Sequence, residues 1–317
     1  MKTRRVTMLA MVAALIMVSA AASSQQKVFI APVAQGLADS TINKMIIDLV
    51  EIVRTKTGAD LKSTTVSYAP GELATEITLK EMKAGRADMG YVNALEYVDM
   101  AGKYPDLFEP AFIFTIGGKK NEDMCMYVSA KSSAKTVADT KGMVWGGSDT
   151  LGTRFILNEN GIKEPLASFY KEVKYVGTSP MTILIDSLRA GHFEVFAVPK
   201  HLLLIGGGAP GSVDKASQSS GIPYRQIYCT TYQSNWIFGY KKGFPPELSS
   251  KTTKILLGAH KDRDFARFHF MFTALKGHFV EYKKEDLART LEIKKLKDSL
   301  GWDKERKEHN AKAKTAK

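Results

Sequence analysis

Apolar positions along this chain follow two spacings in alternation. Residues 27–33 (KVFIAPV) form a short apolar, β-branched run and predict a buried strand. Beyond Ser40 and Thr41, either of which can cap a helix, Met45, Ile46, Leu49, Val50 and Val53 recur at helical spacing, and Gly58 stands where such a helix ends. A strand around 63–66 follows. Pro70 and Gly71 then open a helix carrying Leu73, Ile77, Leu79 and Met82; Gly85 stops it, and residues 89–92 are the next strand. The order strand–helix–strand–helix–strand implies a parallel sheet with helices on its faces.

The order then restarts. Strands are predicted at 126–129, 143–146, 173–176 and 195–198, a short turn at 137–140, and helices at 150–160 and 180–189. Residues 205–223 are rich in Gly, Ser and Pro and predict a loop. Strands near 226–229 and 236–240, a helix from Pro245 to about 259 and a Phe-rich helix over 264–275 complete the pattern. One layout occurs in both blocks. LKEMKAGRADMGYV (79–92) and LIDSLRAGHFEVFAV (184–198) each run from a helix through Ala-Gly and two further residues to an acid, Asp88 or Glu194, and into an apolar strand. Two such turns in corresponding places predict a two-lobed α/β molecule.

Ahead of these elements, Lys2, Arg4 and Arg5 precede an almost purely apolar stretch, 8–18, and the small residues Ser19, Ala20, Ala21 and Ala22. This is the layout of a secretory signal peptide, residues 1–22, cleaved after Ala22; the apolar stretch is shorter than the ~20 residues a spanning helix requires. The mature protein is therefore expected to be soluble and periplasmic. With 44% hydrophobic and 25% charged residues over 317 positions, disordered, collagen-like and disulfide-scaffold chains are excluded, and there is length for one large or two ordinary domains. The formal charge of +12 is largely local. Nine Lys and Arg against four Asp and Glu lie in 294–317, which marks a solvated basic C-terminal tail, 303–317, on a mildly basic body that is not expected to bind nucleic acid. Cys125 and Cys229 could join in an exported protein, and sequence alone leaves that open.

The candidate chemistry lies in strand-to-helix turns that carry small hydroxyl or amide residues. Ser67-Tyr68 precede Pro70, Asn93 follows the 89–92 strand, Ser148 to Thr153 follow the strand of Trp145, and Gly177-Thr178-Ser179 precede Pro180. In an open parallel sheet such turns gather at the carboxyl ends of the strands, where ligands bind. Helix N-termini there offer N–H groups and a partial positive charge, which suits an oxyanion. Each of these residues also serves as a cap whatever the function; the functional reading rests on two turns per lobe facing one cleft. There is no HExxH, GxSxG, Walker loop or GxGxxG, and the six histidines read as surface or packing residues. Without a nucleophile–base pair or a metal set, the chain is expected to be no enzyme and to need no cofactor.

The run 137–162 (VADTKGMVWGGSDTLGTRFILNENGI) resembles the segment ending in S-T-S-G of the phosphate/phosphite/phosphonate substrate-binding proteins, the PhnD-like periplasmic receptors of ABC importers. Other pieces agree in order. KVFIAPV is similar to the opening strand of that family, and EIVRTKTGADLKSTTVSY to its helix–KKTG–strand segment, which ends in a ligand-facing aromatic. KAGRADMGYVNALEYV, YVGTSPMTILIDSLRAGHFEVFAV and GFPPELSSKTTKILL resemble three later segments, so that the likeness covers most of 27–302.

The resemblance implies an α/β fold of the two-lobe type II periplasmic-binding-protein kind, two open, mostly parallel sheets joined by two hinge strands. Lobe one would take 27–125 and 235–302, lobe two 126–234, with crossovers near 124–129 and 235–240. It further implies a monomeric receptor that takes a small anionic solute to the permease of an ABC importer. By carry-over, Tyr68 and Asn93 would face the ligand from lobe one; Ser148, Thr150 and Thr153 would grip its anionic head from lobe two, with Thr178 and Ser179 nearby. The chain departs from the family in two places. Asp149 puts an acid beside the anion site, and Pro199-Lys200 stand where Asn-Asp is frequent, so that a ligand amine is less expected and Lys200 favours a more anionic ligand. Two further readings use the same fold: a carboxylate receptor of a TRAP importer of the TAXI type, and a sensory or interaction module whose basic tail meets a partner.

Overall fold

The strands of this computed structural model fall into two mixed sheets. The residues described are 26–34, 41–69, 72–147, 150–175, 184, 187–188, 190–206, 224–305 and 307–308. The expected signal peptide, Pro70 and Gly71, Ser148 and Asp149, Thr178 and Ser179, residues 207–223 of the expected loop and the end of the basic tail lie outside them.

In chain order the strands are β1 (Lys27–Ala34), β2 (Leu61–Tyr68), β3 (Met89–Val92), β4 (Phe108–Phe114), β5 (Asn121–Ser129), β6 (Val144–Gly147), β7 (Glu172–Tyr175), β8 (Val195–Pro199), β9 (Tyr224–Ser234), β10 (Ile237–Lys241) and β11 (Phe279–Glu281). The first sheet has the order β11-β4-β10-β3-β1-β2 and the second β7-β6-β8-β5-β9. Parallel pairing joins β2, β1 and β3 in the first and β7, β6 and β8 in the second; the remaining pairs are antiparallel. The helices are α1 (Thr41–Thr57), α2 (Ala74–Lys83), α3 (Ala94–Met100), α4 (Thr150–Glu159), α5 (Leu166–Phe169), α6 (Lys200–Gly206), α7 (Pro246–Gly258), α8 (His269–Ala274) and α9 (Ala288–Ser299).

Both sheets are covered on both faces, which is why their strands are apolar at successive positions rather than at alternate ones. Along β1, Phe29 and Ala31 enter a cluster with α1 and α7, while Ile30 enters one with α2 and α3. Along β5, Met124, Met126 and Val128 pack with α4 and α5, while Cys125 and Tyr127 pack with Phe193, Phe196 and Leu203. The repeated turn seen in the sequence is repeated in space. Gly85 and Gly191 take left-handed φ of 76° and 74°. The backbone N–H of Asp88 then donates to the carbonyl of Val28 at 2.8 Å, and Asp88 Oδ2 accepts from Val28 N at 3.0 Å. Glu194 does the same with Val144, its N–H donating at 2.8 Å and its Oε2 accepting at 2.9 Å. Each acid thus satisfies the first free N–H of the neighbouring strand.

Several expectations are corrected. β4 has no counterpart in the sequence pattern, because Pro110 interrupts its apolar run; the proline sits opposite Gly239, where the register of β4 and β10 shifts. Residues 124–129 lie wholly within the second sheet, so the first crossing between sheets is at 115–120 instead; the second, expected near 235–240, is at 235–236, before β10 begins. Periodicity shows that a strand is buried, not which sheet it joins. Tyr68 ends a strand rather than standing in a turn, Lys200 opens a helix, and the helix expected over 264–275 divides into a 3-10 segment, Arg263–Phe268, and α8. Ile293 and Trp302 are buried in the second sheet's cluster, not the first's. Asp303 and Glu305 are anchored rather than solvated: Lys297 Nζ donates to Asp303 at 2.5 Å, and Glu305 faces the Arg154 guanidinium at 3.3 Å. Cys125 and Cys229 are direct partners across β5 and β9, their Cα atoms 4.1 Å apart, and form a disulfide.

Candidate functional site

The carboxyl ends of β2 and β3 carry the first lobe's share of the expected site. Tyr68 is the last residue of β2 and Asn93 the residue after β3, both half-buried. Burial and, after it, the charge of Glu96 push the Tyr68 phenol above its ordinary pKa. Asn93 caps α3: its Oδ1 accepts from the N–H groups of Leu95 at 3.0 Å and Glu96 at 3.1 Å. The hydroxyl of Thr75, in the first turn of α2, accepts from Asn93 N at 2.9 Å, and Thr75 N donates to Glu96 Oε2 at 3.3 Å. The two helix starts at this edge are thereby joined, and the amide nitrogen of Asn93 is the group it can still offer outward.

In the second lobe, Thr150 and Thr153 occupy the first turn of α4, directly beyond β6, and are 3% and 0% exposed. Their spacing sets them on one face of the helix. The neighbouring Arg154 points elsewhere, donating to the carbonyls of Glu164 and Lys163 beside Glu305. Lys200 is exposed at the start of α6. The structure thus brings Tyr68 and Asn93 together at one edge and Thr150 and Thr153 together at another; Ser148, Thr178 and Ser179 lie outside the described residues.

Between the sheets lies a polar junction that the sequence does not announce. Gln233, near the end of β9, accepts from Leu95 N at 2.9 Å and donates to Glu122 Oε1 at 2.8 Å. The other Glu122 oxygen stands 3.9 Å from Nδ1 of His201, whose pKa burial pushes down to about 4, so that the imidazole is neutral at ordinary pH. Asn235 donates from its backbone to Lys120 and from its side chain to Lys119, at 2.8 and 3.0 Å, which ties the two crossings to each other. Glu122, His201, Asn235 and Trp236, with Phe114, Ile116 and Leu275, line a cavity of about 20 Å³, room for one water-sized group. Asn235 Oδ1 is buried here without a hydrogen-bond partner among the described residues. His201 is one of the histidines expected at surface or packing positions, and neither Glu122 nor Gln233 belongs to any short motif; their association depends on two strands and a helix far apart in the chain.

Two α/β sheets covered on both faces, joined by paired crossings, with hydroxyl and amide residues at the carboxyl ends of the parallel strands, define a type II periplasmic binding protein. The chain belongs to the family of ABC-transporter, phosphonate, periplasmic substrate-binding proteins, whose model matches residues 38–269. It is a substrate-binding protein of that family and not an enzyme. Its fold is similar to that of PhnD1 from Prochlorococcus marinus in complex with methylphosphonate, with a TM-score of 0.65 and 12% identity over 88% of this chain and 99% of that one. A binding protein component of an ABC phosphonate transporter from Pseudomonas aeruginosa gives 0.65 and 9% over 92% and 94%. The periplasmic aliphatic sulphonate binding protein SsuA from Escherichia coli gives 0.56 and 12% over 87% and 93%. No curated protein matches the chain in sequence. Among the described residues no helix is long and apolar enough to cross a membrane.

Proposed function

We propose that this protein is an exported, monomeric receptor that captures a small phosphate- or phosphonate-like oxyanion between its lobes and presents it to the permease of an ABC importer. The family match over 38–269 carries this reading, and it favours an ABC over a TRAP importer. The geometry supports it at both edges. Thr150 and Thr153 stand in the first turn of α4, where the helix offers N–H groups and positive partial charge to an anion. Tyr68 and Asn93 stand at the first sheet's carboxyl edge, and the Gln233–Leu95 bond sets that edge against the crossing. Ser148, Thr178 and Ser179 would complete the second lobe's grip, with Lys200 adding charge at the rim. Lobe one is built on the first sheet and lobe two on the second; residues 1–22 direct export and are removed.

Calorimetric titration of ligand-free protein with phosphate, phosphite, methylphosphonate and sulfate tests the reading. Binding of at least one anion is expected, weakened about 10- to 100-fold by Thr150→Val, which deletes a buried hydroxyl donor. Failure of every small anion to bind overturns it.

A further inference from the structure

Besides the two crossings, a third segment of chain spans the sheets. Leu287, which ends a 3-10 segment, is buried with Ile30, Ile113 and Ile237 of the first sheet; Ile293 and Trp302, a few residues on, are buried with Met124, Trp145 and Val195 of the second. The change of sides falls in the first turns of α9 and runs along both crossings. Asp286 Oδ2 lies 2.7 Å from Lys120 Nζ, at the end of the first crossing. Directly before the second, Ser234 N donates to the Thr290 hydroxyl at 3.0 Å and the Ser234 hydroxyl donates to the Asp286 carbonyl. Beyond the crossings the segment grips both sides. Toward the second sheet, Arg289 pairs with Glu159 at the end of α4 at 2.8 Å, Trp302 is 1% exposed with the Arg154 guanidinium 5.6 Å from its ring, and Glu305 joins Arg154 to the N–H of Leu166. Toward the first sheet, Asp99 of α3 pairs with Lys297 at 2.9 Å and Lys294 at 3.5 Å.

The two grips differ in strength. Lifting Trp302 would expose a buried indole and strip Arg154 of the Glu305 carboxylate. Parting from Asp99 leaves Lys297 with Asp298 and Asp303, and the Asp99 carboxylate is already partly in water. The segment therefore stays with the second sheet and yields at Asp99. It holds α3 and α4 behind the helix starts that carry Asn93 and Thr150. We propose that residues 284–305 form a strap that sets the orientation of the lobes: seated on Asp99, it keeps the two helix starts in the arrangement that meets an anion, and parted from Asp99 it travels with the second lobe. Its link to anion capture rests on the receptor reading above; its hold on the lobes does not. Coupling of this kind is reciprocal, so an anion that favours the seated arrangement also tightens the strap.

Two variants test it. Asp99→Ala removes the first-sheet grip and leaves the second intact; a chain ended after Gly301 removes Trp302 and Glu305. Spin labels on Lys62→Cys and Lys171→Cys, exposed positions on β2 and just before β7 in a protein without free cysteines, read the distance between the lobes. The full chain should give a narrow distance distribution and both variants a broad one. Affinity for the tightest-bound of methylphosphonate, phosphate, phosphite and sulfate should fall about threefold in Asp99→Ala and about tenfold in the shortened chain, since the anion must then order the lobes itself. A chain ended after Glu308, which loses basic tail alone, should match the full chain, and the bound anion should slow amide exchange over 288–300. The same distance distribution in Asp99→Ala as in the full chain overturns the proposal, whether or not the shortened chain folds. Broader distances with unchanged affinity overturn its link to capture. Failure of all four anions to bind the full chain overturns the receptor reading, and the distances then still decide the strap.

Discussion

The two lobes agree at the turns that enter their strands and part company at the edges where the strands end. At the entering turns, Asp88 and Glu194 make the same pair of bonds to the neighbouring strand, behind a left-handed glycine in each case. At the far edges the first lobe shows Asn93, Glu96 and Gln233 closing the helix starts, while the second shows Thr150 and Thr153 in a buried helical turn. The lobes are also fastened differently. The second has the Cys125–Cys229 disulfide and the Glu305–Arg154 pair; the first has ion pairs alone, Lys56 with Asp262 and Asp264 and Lys27 with Asp88, beside its packed faces. What recurs is what any strand–helix unit requires to close; what diverges is where a guest is met.

The largest effect should come from unfastening the second lobe. Replacing both Cys125 and Cys229 by Ala opens a closure of 104 residues. It should lower unfolding free energy by roughly 2–4 kcal/mol in urea titration, with amide exchange rising in β5 and β9 ahead of β1 and β2. Equal rises in both sheets would show that the lobes are not held separately.

Acid probes the junction between them. Burial keeps His201 at about 4 in the folded protein, below the ~6.5 of an exposed imidazole. As pH falls through that window the unfolded chain takes up the proton first. The stability contributed by the neutral form is thus complete above about 6.5 and lost toward about 4, by roughly 2–3 kcal/mol. Urea midpoints across this range should slope in wild type and flatten in His201→Gln; an unchanged slope would place the acid sensitivity elsewhere.

The repeated turn can be tested as a repeat. Asp88→Asn and Glu194→Gln should each cost roughly 1–2 kcal/mol, and by similar amounts, because each weakens a charge-assisted bond to a strand N–H. Unequal costs would show that the likeness is one of form only. The smallest effect is a gain in the first lobe. Thr252 is fully buried against Phe29, Leu49 and Phe238, its hydroxyl without a partner among the described residues. Thr252→Val should raise stability by about 1 kcal/mol, read as a higher melting temperature.

Most of the fold was legible because its signals are local. Alternating strand and helix spacings, Gly58 and Gly85 at helix ends, and the Ala-Gly-to-acid layout all span fewer residues than a single strand–helix unit. β4 was hidden by Pro110, and the first crossing was misplaced because sheet membership is a property of pairing between distant segments. The site was legible only where it coincides with caps, as at Asn93 and in the first turn of α4. Glu96 looks like any acid in a first helical turn. Gln233 meets Leu95 across 138 residues of chain, and no spacing rule reaches that far.

The bonds from Asn235 to Lys119 and Lys120 have a mechanical meaning. Where a polypeptide passes twice between two bodies and the passages are pinned at one residue, neither can swing without carrying the other. A displacement at either passage is then transmitted to the other through Asn235.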